Sequence, residues 1–155
     1  MHYDFELAGR RVRLWQRTGE GYGHVLMKAL GYAMFVEEYP ALEIELRVGL
    51  RYKPDLVARR NGNHDGRFAF WGECGMVSMR KVSWLLKHGG AERLVLFKID
   101  INVAPLLEEL RATVDERYRA DGRLTVVNFV GDIAARTDSR RIARVPQNWY
   151  TKTVV

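Results

Sequence analysis

Asp55 and Glu73 are the two residues of this sequence whose types and positions best fit metal-dependent chemistry. Asp55 follows Pro54, which fixes the backbone and has no N–H group, and it precedes the apolar residues of a predicted strand. Glu73 ends the apolar segment that begins at Phe68, and a carboxylate buried there is costly unless it is paired or bound to a cation. Taken singly, each has an ordinary alternative role, as a turn aspartate and as a glutamate at the solvent end of a strand.

The two carboxylates would lie at one level of a sheet if their strands are neighbours. Oxygen ligands with no Cys or His partner suit Mg²⁺ or Mn²⁺ better than zinc. Such a cation can stabilise charge on a phosphodiester and lower the pKa of an attacking water. Glu20, before the first predicted helix, and Lys81, in the second, could complete the site, with the lysine neutralising charge on the phosphate. The alternatives are a glutamate favoured by the helix macrodipole and a surface lysine.

The elements that must position these residues follow from the apolar pattern. We predict a hairpin around Gly9, helices at about 22–38, 78–88 and 103–114, and strands at about 43–60, 67–74, 94–97 and 124–130, the first of these strands broken near Gly49 and Pro54. The segment 61–66 is rich in turn-forming residues and predicts a hairpin loop between two of those strands. The order predicts an α/β (α+β) fold, a mixed β-sheet flanked by helices.

Composition indicates an ordinary globular protein with an anionic partner. The 155 residues are 47% hydrophobic and 28% charged, with a net charge of +6 and a pI of about 9.7. The positive charge favours nucleic acid, because Lys and Arg displace counterions from phosphates. Cys74 is the single cysteine, which excludes an internal disulfide and a cysteine-based zinc site. The sequence shows no membrane span or secretory signal, so we expect a cytoplasmic protein.

The residues from Gly131 onward differ from the rest in composition. We divide the chain into a domain at 1–130 and a basic C-terminal extension at 131–155, packed on the domain or trailing from it, with no regular structure expected. The extension is either a solvated tail or an arm that contacts phosphates. The arginines that would bind nucleic acid in the second case are Arg136, Arg140, Arg141 and Arg144.

Three motifs in order resemble the YaeQ family of the PD-(D/E)XK nuclease superfamily. The segment 20–33 resembles that family's Glu-x-x-x-His/Arg opening before an apolar helix, and 54–56 resembles its Pro-Asp-Leu. The segment 71–75, Trp-Gly-Glu-Cys-Gly, resembles its Trp-Ile-Asp/Glu-x-Gly, and a basic helix and an apolar strand follow. The resemblance covers roughly residues 1–130 and rests on the order and spacing of the motifs.

The resemblance implies a restriction-endonuclease-like core and a Mg²⁺- or Mn²⁺-dependent nuclease acting on DNA or RNA. It makes Glu20, Asp55 and Glu73 the acidic set. The sequence departs from the superfamily at Gly75, where the usual lysine two residues after the second acid is missing. Lys81 is the expected replacement, with Arg80 as the other basic residue that could match.

Two other functions remain open on the sequence alone. A non-catalytic domain that binds nucleic acid or protein could retain the same core, and the glycine at position 75 favours this alternative. The third is an interaction protein with no nucleic-acid role. His24, one turn after Glu20, could hold a phosphate or act as an auxiliary acid, although a local hydrogen bond on the helix is the simpler role.

Overall fold

The computed structural model describes residues 1–60 and 65–155. The strands in these residues are β1 His2–Leu7, β2 Arg10–Trp15, β3 Glu43–Ile44, β4 Leu56–Arg59, β5 Phe68–Cys74, β6 Leu94–Ile99, β7 Leu124–Phe129, β8 Arg141–Ile142 and β9 Tyr150–Val154. The α-helices are α1 Tyr22–Phe35, α2 Met79–Lys87, α3 Val103–Thr113, α4 Glu116–Arg119 and α5 Ile133–Arg136. Residues 61–64 of the predicted hairpin loop lie outside the described residues.

A mixed sheet of six strands forms the centre of the described structure, in the order β3-β4-β5-β6-β7-β9. The strands β5, β6 and β7 are parallel, while β3, β4 and β9 join them in antiparallel pairs. A second sheet of three strands has the order β2-β1-β8 and is also mixed. The predicted α+β class, with mixed sheets and flanking helices, is therefore confirmed.

Helix α1 lies between the two sheets, and its apolar residues form one core with both of them. Leu26 and Leu30 are fully buried there beside Phe5 and Leu7 of β1 and one face of the central sheet. The other face of the central sheet packs on α2 and α3 in a second core. The sheet therefore has helices on both faces, as the continuous apolar segment of β6 predicts.

The close approach of α1 to the central sheet depends on Gly31. A Cβ atom at this position would lie 2.6 Å from Leu56 Cδ1 and 2.9 Å from Phe97 Cζ. Such contacts are far inside van der Waals distance, so a larger residue would displace these two buried side chains or push the helix away from β4 and β6. The predicted helix extends to Glu38, whereas α1 ends at Phe35 and continues as a turn.

The C-terminal residues contribute a strand to each sheet. Strand β8 pairs in parallel with β1, and β9 pairs antiparallel with β7. The expectation of no regular structure after Gly131 is therefore wrong. Neither strand has an apolar pattern that would reveal it, because β8 has two residues and β9 is largely exposed. Backbone pairing with strands already in place holds them.

No helix in the described part of the chain is long and apolar enough to cross a membrane.

Candidate functional site

Asp55 directly precedes β4, and Glu73 lies near the end of the neighbouring strand β5. Leu56 of β4 pairs with Gly72 of β5 in an antiparallel register, and Asp55 and Glu73 are the residues next to this pair on the two chain segments. The Asp55 backbone N–H donates to the Gly72 carbonyl at 3.2 Å. The Asp55 Oδ2 atom accepts a hydrogen bond from the backbone N–H of Cys74 at 2.8 Å. The hairpin geometry thus fixes the carboxylate of one strand against the backbone of the other.

Glu73 is buried on the face of the sheet that packs on α2. Its Oε1 atom accepts a hydrogen bond from Trp71 Nε1 at 2.9 Å and forms an ion pair with Lys81 Nζ at 2.8 Å. Burial raises the pKa of Glu73, and the nearby charge of Asp55 adds to this, so that the contacts with Lys81 and Trp71 are outweighed. The two carboxylates are therefore close enough for the charge of one to affect the other.

Ser78 and Tyr52 help to place Lys81. The Ser78 hydroxyl caps α2 by accepting from the Lys81 backbone N–H at 3.1 Å. The Lys81 ammonium also lies 5.1 Å from the centre of the Tyr52 ring, within cation–π range. The first turn of α2 is thereby held with Lys81 directed at Glu73.

His24 connects Glu20 with Asp55. Its Nε2 atom lies 3.1 Å from Glu20 Oε1 and 3.3 Å from Asp55 Oδ1. The contact with Glu20 is the local one expected for this histidine. The contact with Asp55 connects α1 to the start of β4. Burial acts to raise the pKa of Asp55, but the contacts with His24 and the Cys74 N–H together with the charge of Lys28 lower it below its usual value. The site therefore favours Asp55 in its ionised form.

Lys28 is a fully buried member of the site that the sequence did not single out. Its Nζ atom lies 3.2 Å from both Glu20 Oε1 and Glu45 Oε1, and Arg17 Nη2 lies 3.5 Å from the same Glu45 oxygen. Burial acts to raise the pKa of Glu20, yet the backbone N–H of Arg17 and the charge of Lys28 lower it overall. Positions 20, 24 and 28 are spaced by four residues, which places them along one side of the helix and could have revealed this lysine.

Gly75 follows Glu73 in a left-handed backbone conformation, with φ of +81°. A Cβ atom here would lie 3.4 Å from His24 Nδ1. Residues other than glycine rarely adopt this conformation, so the backbone itself disfavours the lysine that the superfamily pattern has at this position. Cys74, the preceding residue, is buried in the core on the α1 side.

The structure brings Glu20, Asp55, Glu73 and Lys81 to the same end of the central sheet. Arg80 is exposed on α2, next to Lys81. The four arginines of the C-terminal extension are also exposed, and three of them contact the extension itself or β1. Arg136 pairs with Asp132 at 2.8 Å, Arg141 pairs with Glu6 at 3.1 Å, Arg140 lies 4.8 Å from the ring of Tyr3, and Arg144 is exposed in the segment after β8.

The donors of this site fit a magnesium ion better than a transition metal. Within residues 1–60 and 65–155, no group of three or more His, Cys, Asp or Glu side chains is arranged to hold a metal ion. Magnesium does not need such a group, because it is commonly held by one or two carboxylates and completes its shell with water and phosphate oxygens. Asp55 and Glu73 are the residues that would supply those carboxylates.

The fold is also found in solved structures of YaeQ proteins. The YaeQ protein from Xanthomonas axonopodis pv. citri superposes with a TM-score of 0.62 at 14% identity, over 99% of this chain and 93% of that chain. The YaeQ protein from Pseudomonas syringae superposes with a TM-score of 0.59 at 16% identity, over 97% of this chain and 91% of that one. The chain shares the fold of these YaeQ proteins. The sequence matches no protein-family model and no curated protein.

Proposed function

We propose that this protein is a YaeQ-like member of the PD-(D/E)XK superfamily and a Mg²⁺-dependent nuclease. The observation that carries the proposal is the placement of Asp55 and Glu73 on either side of the Leu56–Gly72 pair of β4 and β5, with Lys81 Nζ at 2.8 Å from Glu73 Oε1. The likeness to the YaeQ proteins in fold supports the family assignment over almost the whole chain. The net charge of +6 suits a phosphodiester substrate.

Each residue of the site has a role that its contacts support. Asp55 and Glu73 would hold the cation, which when bound supplies a polarised phosphate and a more acidic water. His24 fixes Asp55, and Glu20 fixes His24, so that Glu20 acts as a positioning residue. Lys81 pairs with Glu73 and acts against the effect of burial on its pKa, and the ammonium has further N–H donors for a phosphate oxygen.

The nuclease proposal is tested with the two strand carboxylates. We expect labelled DNA or RNA to be cleaved by the native protein in the presence of Mg²⁺ or Mn²⁺. Asp55→Ala and Glu73→Ala should each lose activity by about 100-fold or more, since each removes one ligand of the ion that stabilises the transition state. Calorimetric titration of Mg²⁺ provides a second measurement that does not depend on the choice of substrate.

Glu109→Ala is the matched control, because Glu109 is an exposed glutamate on α3. It should bind Mg²⁺ and cleave as the native protein does. If the native protein and both strand variants show the same absence of a metal response, the enzymatic proposal fails.

Two observations favour a second candidate, a non-catalytic domain that binds nucleic acid. The glycine at position 75 provides no lysine, and the acidic residues Glu20, Asp55 and Glu73 all contact cationic or potentially cationic side chains. In such a domain Arg80 and the arginines of the extension would supply the affinity. Charge reversal at both Arg140 and Arg141 should then weaken DNA binding and reduce its salt dependence, while Asp55→Ala leaves binding unchanged. Unaltered binding after the charge reversal would exclude these two arginines as phosphate contacts.

A further inference from the structure

Lys98 is a half-buried lysine near the end of β6, next to the strand that carries Glu73. Glu73 pairs with Leu96 in the parallel register of β5 and β6. Side chains alternate along a strand, so Lys98, two residues after Leu96, projects from the same face of the sheet as Glu73. Its Nζ atom donates a hydrogen bond to the backbone carbonyl of Gly75. The ammonium group therefore lies beside the segment that directly follows Glu73.

Lys98 lies close to the place that the side chain of a lysine at position 75 would occupy. The backbone of Gly75 has the left-handed conformation described above, and a lysine there would be strained. Cys74 pairs with Phe97, and the Gly75 N–H donates to the Phe97 carbonyl at 3.0 Å. The next residue of β6 thus lies at the level of Gly75 with an extended backbone, from which a long side chain can reach the same place.

The charge of Lys98 has no counter-charge in the part of the chain that the structure describes. Lys81 is paired with Glu73, and Lys28 is shared between Glu20 and Glu45. For Lys98, by contrast, burial lowers the pKa, and no carboxylate in the described residues forms an ion pair with it. An ammonium has three N–H donors, so a group that gives one to a carbonyl can still bind an anion.

We propose that Lys98 contacts a non-bridging phosphate oxygen of the substrate and serves as the catalytic lysine that position 75 does not provide. The proposal rests on the nuclease function proposed above. In the reaction, water adds across a P–O bond to give a phosphate monoester and a free hydroxyl. Lys98 would stabilise the negative charge that builds up on the phosphate oxygens during this step. Lys81 would then act mainly as the partner of Glu73.

The first test is binding without chemistry. Short fluorescein-labelled single-stranded DNA, duplex DNA and RNA are titrated with the protein in EDTA over a series of salt concentrations. We expect Lys98→Met to weaken binding about tenfold and to reduce the slope of log K against log salt by about one, because one phosphate contact is lost. Lys98→Arg should restore much of the affinity. Lys87→Met, which removes an exposed lysine of α2, is the matched control and should bind as the native protein does.

The second test is cleavage of the probe that binds best, in Mg²⁺. Lys98→Met should lower kcat by about 100-fold, more than it weakens binding, because its contact strengthens as charge develops. If the native protein cleaves and Lys98→Met binds and cleaves normally, the role of Lys98 is refuted and the nuclease stands. If the native protein binds through Lys98 but never cleaves, the nuclease proposal fails and Lys98 remains a phosphate contact. If the native protein binds none of the probes, the Lys98 proposal is refuted as well.

Discussion

The two faces of the central sheet surround neighbouring carboxylates with different environments. On the α1 face, Asp55 has His24 and a backbone N–H as partners, and its pKa is lowered. On the α2 face, Glu73 is buried with Lys81 and Trp71 as partners, and its pKa is raised. Neighbouring carboxylates of the two strands can thus have their pKa values shifted in opposite directions, and the side chains of the surrounding helices contribute to the direction. Pairs of acids whose pKa values are separated in this way are typical of functional sites.

The largest expected effect tests the α1 face. Lys28→Met removes a fully buried ammonium that lies between two carboxylates. We expect a loss of about 1–3 kcal/mol in the free energy of unfolding, because Glu20 and Glu45 lose the buried ammonium that they share and keep only His24 and Arg17 as partners. Urea unfolding followed by circular dichroism measures it. Lys87→Met should change stability by less than about 0.5 kcal/mol, as for an exposed residue. Equal stability of the two variants would mean that solvent or Arg17 replaces Lys28 at no cost.

The next effect tests the α2 face. Ser78→Ala removes the side-chain oxygen that accepts from the Lys81 N–H at the start of α2. Loss of an N-cap costs about 1 kcal/mol, so this variant should unfold at a slightly lower urea concentration. If Ser78 also holds Lys81 toward Glu73, the activity should fall as well. Ser78→Thr or Ser78→Asp should recover stability and activity together. Recovery of stability alone would mean that the helix cap does not control the position of Lys81.

The smallest expected effect is on how the free energy of unfolding depends on pH. The two carboxylates should contribute to this dependence in opposite directions. The folded state lowers the pKa of Asp55 below its usual value of 3.8, so Asp55 contributes stability above that pH and loses the contribution as the pH falls further. The folded state raises the pKa of Glu73 above 4.5, so its contribution is present below that pH and is lost as the pH rises.

Substitution by the matching amide should reveal both contributions. Asp55→Asn should flatten the dependence of unfolding free energy on pH below 3.8, and Glu73→Gln should flatten it above 4.5. Urea titrations at closely spaced pH values measure the two slopes. If both variants changed the slope of unfolding free energy against pH in the same direction, the opposite pKa shifts of Asp55 and Glu73 would be contradicted.

The sequence predicted the elements that carry the chemistry because their signals are local. The alternating hairpin at the N-terminus, the capped helix that begins after Ser78 and the apolar segment of β6 all lie close to their expected positions. The pairing of β4 with β5 also followed, since strands joined by a turn-rich segment usually pair.

Other parts of the site could not be predicted because they depend on packing between distant segments. Glu45 reaches Lys28 from the segment after β3, whose path is fixed by tertiary contacts and not by a pattern of its own. Lys98 looks like a polar residue at the end of an apolar strand, and only the parallel register with β5 places it beside Gly75. Strands β8 and β9 were missed because their pairing partners lie far away in the sequence.

The pairing of β8 with β1 has a consequence for how the chain folds. Glu6 pairs with Arg141, so the three-stranded sheet closes a loop that contains most of the described chain. Loop closure of this length carries an entropic cost before the contacts are formed, and such non-local pairing slows folding. During synthesis, the edge of β1 that pairs with β8 stays uncovered until residue 142 has left the ribosome. We therefore expect nascent chains that end before this point to be the species most prone to bind chaperones or to associate with one another.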